Sequence, residues 1–123
     1  MTVLSSHLLN GATGQHGANL TVEIYQLDGI DPGHRKHIAK TVTDEQGRFK
    51  VDLTSFMDSN NASFRFEMVV STEGMFNSGS DKMPDNPMNE IVIRFNIYPD
   101  QDIQHIPIII SPNSYSVWWS NPE

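Results

Sequence analysis

Apolar and polar residues alternate at period two through most of this chain. Leu20, Val22 and Ile24 interleave with Thr21, Glu23 and Tyr25; Phe64, Phe66, Met68 and Val70 interleave with Arg65, Glu67 and Val69. Ile91, Ile93, Phe95 and Ile97 share one face of the stretch 90–97. Successive strand residues point to opposite sides, so each pattern predicts a strand with one buried face. Val3 to Leu9 is a short apolar-rich strand candidate, His37 to Thr43 a weaker one, and Arg48 to Leu53 follows a turn at Asp44-Glu45-Gln46-Gly47. Near the end, Gln104 to Ser116 predicts two strands joined by a tight turn at Ser111-Pro112-Asn113-Ser114. Ile106, Ile108 and Ile110 fall on one face there, and His105, Pro107 and Ile109 on the other.

The intervening segments carry turn chemistry. Asn10 to Gly14 holds two glycines, Asp28 to His34 contains Pro32-Gly33, and Met83 to Asn89 contains Pro84 and Pro87 and is expected to be irregular. Ser71 to Lys82 is expected to hold one short helix, with Ser71 or Thr72 as N-cap and Glu73 in the first turn. About eight short strands and a single helix predict an all-β fold, an antiparallel β-sandwich in one domain spanning residues 1–123.

Composition narrows the function classes. The chain has 123 residues, enough for an independent core, and no cysteine, which excludes disulfides and thiolate metal sites. A formal charge of −7, spread through loops, argues against nucleic acid or an anionic membrane as partner. It leaves open a small anionic substrate, which responds to the local field of a pocket. No apolar run reaches membrane-spanning length, and the start lacks a basic region followed by a long apolar core. A cytoplasmic protein is the expectation.

Three residues stand out as candidate chemistry: His7, Arg48 and His105. Each has a plain alternative. His7 could be a strand histidine bonded to a neighbour, Arg48 a solvated residue after a hairpin turn, and His105 the cap of a strand entrance. Together they form a hydrolytic set that needs no metal or cofactor. An imidazole takes a proton from water near neutral pH, and a guanidinium holds an anion or a developing oxyanion. His34 and His37 form a His-x-x-His pair in a Pro-Gly loop with no third ligand nearby, and are read as solvated.

The motifs around these residues resemble the transthyretin-like family, whose enzymatic branch is 5-hydroxyisourate hydrolase. Leu4-Ser5-x-His7-x-Leu9-Asn10-x-x-Thr13-Gly14 is similar to the start of those enzymes, Thr43-Asp44-x-x-Gly47-Arg48 to their middle signature, and His105-Ile106-Pro107-Ile108-Ile109-Ile110-Ser111-Pro112 to their late one. The matches occur in the family's order and span about Leu4 to Ser116. The resemblance implies a transthyretin-like sandwich and puts His7, Arg48 and His105 on the family's catalytic His, Arg and His. It further implies that strands bearing Arg48, His7, His105 and the C-terminal segment lie side by side, and that their outer face lines a channel in a homotetramer, a dimer of dimers. Neighbouring strands lie ~4.8 Å apart, so such side chains can converge on a small heterocycle.

The tail departs from that resemblance. The enzymes end in Tyr-Arg-Gly-Ser, which contributes to their site; here the corresponding stretch is Trp118-Trp119-Ser120-Asn121, followed by Pro122-Glu123. An indole carries no charge and cannot pair bidentately with an anion. Trp118, Trp119 and Ser120 are candidate substrate contacts, and the indoles are equally candidates for a subunit interface. Consecutive strand residues face opposite ways, so both indoles face one pocket only if the strand bulges. A second departure is His16-Gly17 where the family often has Pro-Ala, read as a loop change at the rim. The expected function is cofactor-free opening of a cyclic amide in 5-hydroxyisourate or a related, N-substituted heterocycle. The rivals are a non-catalytic tetramer binding an aromatic molecule in its channel, and a structural assembly module.

Overall fold

The computed structural model describes residues 1–27, 34–57, 64–76, 88–98 and 102–120. Within these residues lie nine strands: β1 (Val3–Asn10), β2 (Thr21–Leu27), β3 (Arg35–Val42), β4 (Arg48–Asp52), β5 (Phe64–Ser71), β6 (Glu90–Ile97), β7 (Ile103–His105), β8 (Ile108–Ser111) and β9 (Ser114–Val117). They form two packed sheets. One runs β4-β1-β8-β9, with β7 also on β1; the other runs β3-β2-β5-β6.

The alternation of the sequence is the alternation of burial. Leu4, Leu8, Phe49, Ile106, Ile108 and Ile110 point inward from the first sheet and meet Val22, Ile24, Phe66, Met68, Val70 and Ile91 from the second. Each fully buried side chain of this size contributes about 1.5–3 kcal/mol relative to exposure. Both sheets therefore keep one face for the core and offer the other outward. On the outer face of the second sheet, the buried Glu67 carboxylate is held between Arg35 and Arg94.

Two expectations need correction. The predicted terminal strand pair is three short strands, because the chain loosens at Ile106-Pro107. Pro107 has no N–H to donate, and β7 and β8 add to β1 in succession, in parallel, beside Val3–Ser5 and Leu8–Asn10. The helix expected over Ser71–Lys82 does not start where its cap was read. Ser71 closes β5, and Thr72 spends its N–H on the Asn89 carbonyl and its hydroxyl on the Met88 carbonyl. Gly74 then takes φ +81, which breaks helical progression; residues 77–82 lie outside the described residues. Among the described residues the helical turn that forms is a short 3-10 segment, Thr54–Phe56. Residues 28–33 of the expected Pro-Gly loop and 83–87 of the expected irregular segment also lie outside the described residues. Among the described residues no helix is long and apolar enough to cross a membrane.

Candidate active site

The outer face of the first sheet is built around β1. Leu4, Ser6 and Leu8 point into the core, so Ser5 and His7 point outward. Antiparallel pairing sets His7 opposite Arg48 and Ser5 opposite Lys50; parallel pairing sets His105 beside Ser5. Directly opposed residues share a face. His7, Arg48 and His105 thus come from strands far apart in sequence and stand together on one surface.

Local chemistry holds each group. Arg48 follows a tight turn in which the Asp44 carboxylate accepts from the backbone N–H of Gln46 and of Arg48, both at 2.9 Å. Those two hydrogen bonds, the Arg48 one first, hold the Asp44 pKa below the usual carboxylate range. Gly47 completes the turn at φ +75, and its carbonyl accepts from Leu8 N–H at 2.7 Å, joining the turn to β1. His105 is oriented by Ser5, whose Oγ lies 2.7 Å from its Nδ1.

The field on this face favours neutral imidazoles. The His7 pKa is lowered, first by burial and then by the charges of Arg48 and His16, against a hydrogen bond to the Gln46 backbone that raises it; the charge of His105 lowers it least. The His105 pKa is lowered by burial and then by Arg48. A cation beside two partly desolvated rings disfavours adding a proton to either. Both rings therefore offer lone pairs at neutral pH, which is what a base for water requires.

The tail splits its residues between the faces. Continuing the β8–β9 register beyond Val117, Trp118 N–H donates to the Pro107 carbonyl at 3.3 Å and Ser120 N–H to the His105 carbonyl at 2.9 Å. Ser120 is the bridge partner of His105 and shares its face. Trp118 has the same parity. Trp119 has the opposite one, that of Ile106, and is 75% exposed. Both indoles border a cavity of about 520 Å³ at the open edge between the sheets, with Ile93, Phe95, Ile106 and Val117. His7, Arg48 and His105 are not among the residues that line this cavity.

Two residues on the outer face of the first sheet escaped the sequence reading. Ser5 has the parity of His7, which was a usable signal. His16 was read as a rim residue; the chain doubles back at Asn10–Gly14 and bridges His16 to Leu9, bringing His16 Nδ1 within 3.3 Å of His7 Nε2. His37, read as a solvated member of a His-x-x-His pair, sits on β3 with its Nε2 3.6 Å from the Glu23 carboxylate and its ring edge-on to Tyr25.

Comparisons with known proteins agree with the sandwich fold. The profile of the HIUase/Transthyretin family matches residues 4–119. A curated relative, 5-hydroxyisourate hydrolase 2 of Rhizobium meliloti, is 31% identical over 94% of this chain and 92% of its own length. Among solved structures, 5-hydroxyisourate hydrolase of Klebsiella pneumoniae superposes with a TM-score of 0.70 at 24% identity, covering 98% of this chain and 100% of that one. Transthyretin from Sparus aurata superposes with a TM-score of 0.72 at 14% identity, covering 95% of each.

Proposed function

The chain belongs to the HIUase/Transthyretin family, on its hydrolase side, and from that premise we propose that it opens a ring C–N amide bond of 5-hydroxyisourate, a urate-derived heterocycle, without a cofactor. The observation that carries this reading is the meeting of His7, Arg48 and His105 on one outward face. One imidazole takes a proton from water as the water oxygen bonds to the ring carbonyl carbon. The Arg48 guanidinium holds the negative charge that gathers on the carbonyl oxygen. As the C–N bond breaks, the imidazolium returns the proton to the departing nitrogen, so the balance is one water consumed and no redox change. His105, steadied by Ser5, and His7 are the candidates for the two proton roles.

The tail bears on the choice of ring. The position where the enzymes of the family carry Arg is Trp119, whose parity turns it from the three groups; Trp118 and Ser120 have the parity to edge the substrate. An indole at Trp118 adds an apolar wall that an N-substituted ring also suits. We further propose a homotetramer in which the active faces of two dimers oppose one another, supplying walls that the exposed face of a single chain lacks.

The test is to mix the protein with freshly generated 5-hydroxyisourate and follow its decay, then to repeat with His105→Ala. Decay faster than buffer, abolished in the variant, supports the reading; decay at the buffer rate removes this substrate. A panel of N-methylated analogues then separates a changed substrate from lost catalysis. Uptake of an aromatic ligand with no turnover of any analogue would mark a binding tetramer instead.

A further inference from the structure

His16 is a titratable group of the active face that the three-residue set does not use. Asn10 folds the segment that delivers it: its side-chain Oδ1 accepts from Ala12 and Thr13 N–H, its backbone N–H donates to the Gln15 carbonyl, and its backbone carbonyl accepts from Gly14 N–H. Gly17 then packs against β1, its N–H donating to the Leu8 carbonyl at 2.8 Å, where a Cβ would come within 3.0 Å of Leu8 Cβ. The position of His16 is therefore set by backbone bonds on both sides. Its ring lies 5.4 Å from that of His7, centroid to centroid, tilted by 35°.

Between the two facing ring nitrogens one donates and the other accepts. A hydrogen bond to the Gln46 backbone raises the His7 pKa, the direction expected when a ring N–H donates to a carbonyl, and the arrangement consistent with it keeps the lone pair on Nε2. In that arrangement His16 Nδ1–H is the donor to it. We propose that His16 is a positioning residue for the reaction, acting through His7: its Nδ1–H fixes the tautomer and aim of the His7 ring and keeps that ring unprotonated until water arrives. At 3.3 Å the bond is long for a ring N–H donor, so entering water can displace it at Nε2. Where the family resemblance leads one to expect proline, a residue with no N–H, this chain has a donor. Other charged groups face the pair: Arg48 from β4, His105 from β7, and the Asp44 carboxylate, whose pKa His16 also lowers. Lys50 lies opposite Ser5 on the same surface.

The role rests on the proposed hydrolysis for its kinetic consequence but not for its physical one. Two variants test it, His16→Phe, which keeps a ring and removes the donor, and His16→Gln, which keeps a neutral N–H. Following the His7 ring signal by NMR through a pH titration, His16→Phe moves the midpoint to higher pH and His16→Gln leaves it near the parent value. In turnover, His16→Phe loses kcat several-fold at about pH 6 with little loss at about pH 8 and little change in KM, and His16→Gln restores most of it. A His7 midpoint that does not move in His16→Phe overturns the proposal. So does equal loss in both variants, which marks His16 as part of the rim. Should the parent protein fail to open hydroxyisourate, the titration decides this point by itself.

Discussion

Gly47 and Gly14 are a matched pair for testing how the active face is held. Both adopt left-handed backbone, φ +75 and φ +76. A Cβ on Gly14 would meet nothing within 4 Å, whereas one on Gly47 would lie 2.3 Å from the Leu8 carbonyl oxygen. Gly14→Ala therefore carries only the left-handed penalty, about 1–2 kcal/mol. Gly47→Ala carries that penalty and more. It drives β4 and β1 apart at a packed contact, about 1–3 kcal/mol, and strains the bond from Leu8 N–H to the Gly47 carbonyl, about 0.5–1.5 kcal/mol. The expected totals are roughly 1–2 kcal/mol for Gly14→Ala and roughly 3–6 kcal/mol for Gly47→Ala, the larger value blunted by relaxation of the turn. At this chain length each kcal/mol lowers Tm by about 3–6 °C. Urea titration and thermal unfolding followed by circular dichroism read both. The functional consequence separates them further, because Arg48 is the next residue and the register partner of His7. Even where Gly47→Ala remains folded, kcat/KM on fresh hydroxyisourate should fall on the order of 10–100-fold, while Gly14→Ala keeps parental activity. Equal stability losses in the two variants would refute the steric reasoning, and full activity in a folded Gly47→Ala would refute the claim that this turn sets the spacing of the site.

Three further outcomes follow from the electrostatics and the hydrogen bonds. His7 and His105 have pKa values lowered on folding, so the acid limb of kcat/KM should lie below the ordinary imidazole value of about 6.5, and Arg48→Gln should move that limb upward as it lowers the rate. The same shifts bear on stability: the native state binds fewer protons than the unfolded one, so their contribution is present above about pH 6.5 and is lost as pH falls toward the folded values. Urea midpoints at about pH 7.5 and 5.5 measure it. Ser5→Ala should cost roughly threefold to tenfold in kcat/KM by freeing the His105 ring, the equivalent of a net hydrogen bond of about 0.5–1.5 kcal/mol, with an unchanged circular dichroism spectrum; unchanged kinetics would remove Ser5 from the site.

The chain itself determined the strands, because alternation at period two is a local pattern and each β-strand buries one side of it. Phe64–Val70, Ile91–Ile97 and Ile106–Ile110 declare their core faces without reference to anything else, and Asp44–Gly47 declares its turn through the residue types a tight turn admits. His7, Arg48 and His105 were legible as candidates through motifs in order. What pairing decides was not legible. The helix cap read at Ser71–Thr72 fails because both polar groups of Thr72 find partners sixteen and seventeen residues away, across the sheet from the local sequence. Trp118 and Trp119 are adjacent and chemically alike, yet the β8–β9 register assigns one to the face of His105 and the other to the face of Ile106. His16 sits in a segment of turn residues, and only its bridge to Leu9 brings it against His7. Periodicity fixes which side of a strand is wet, but strand order and register, which are long-range, decide which wet residues meet.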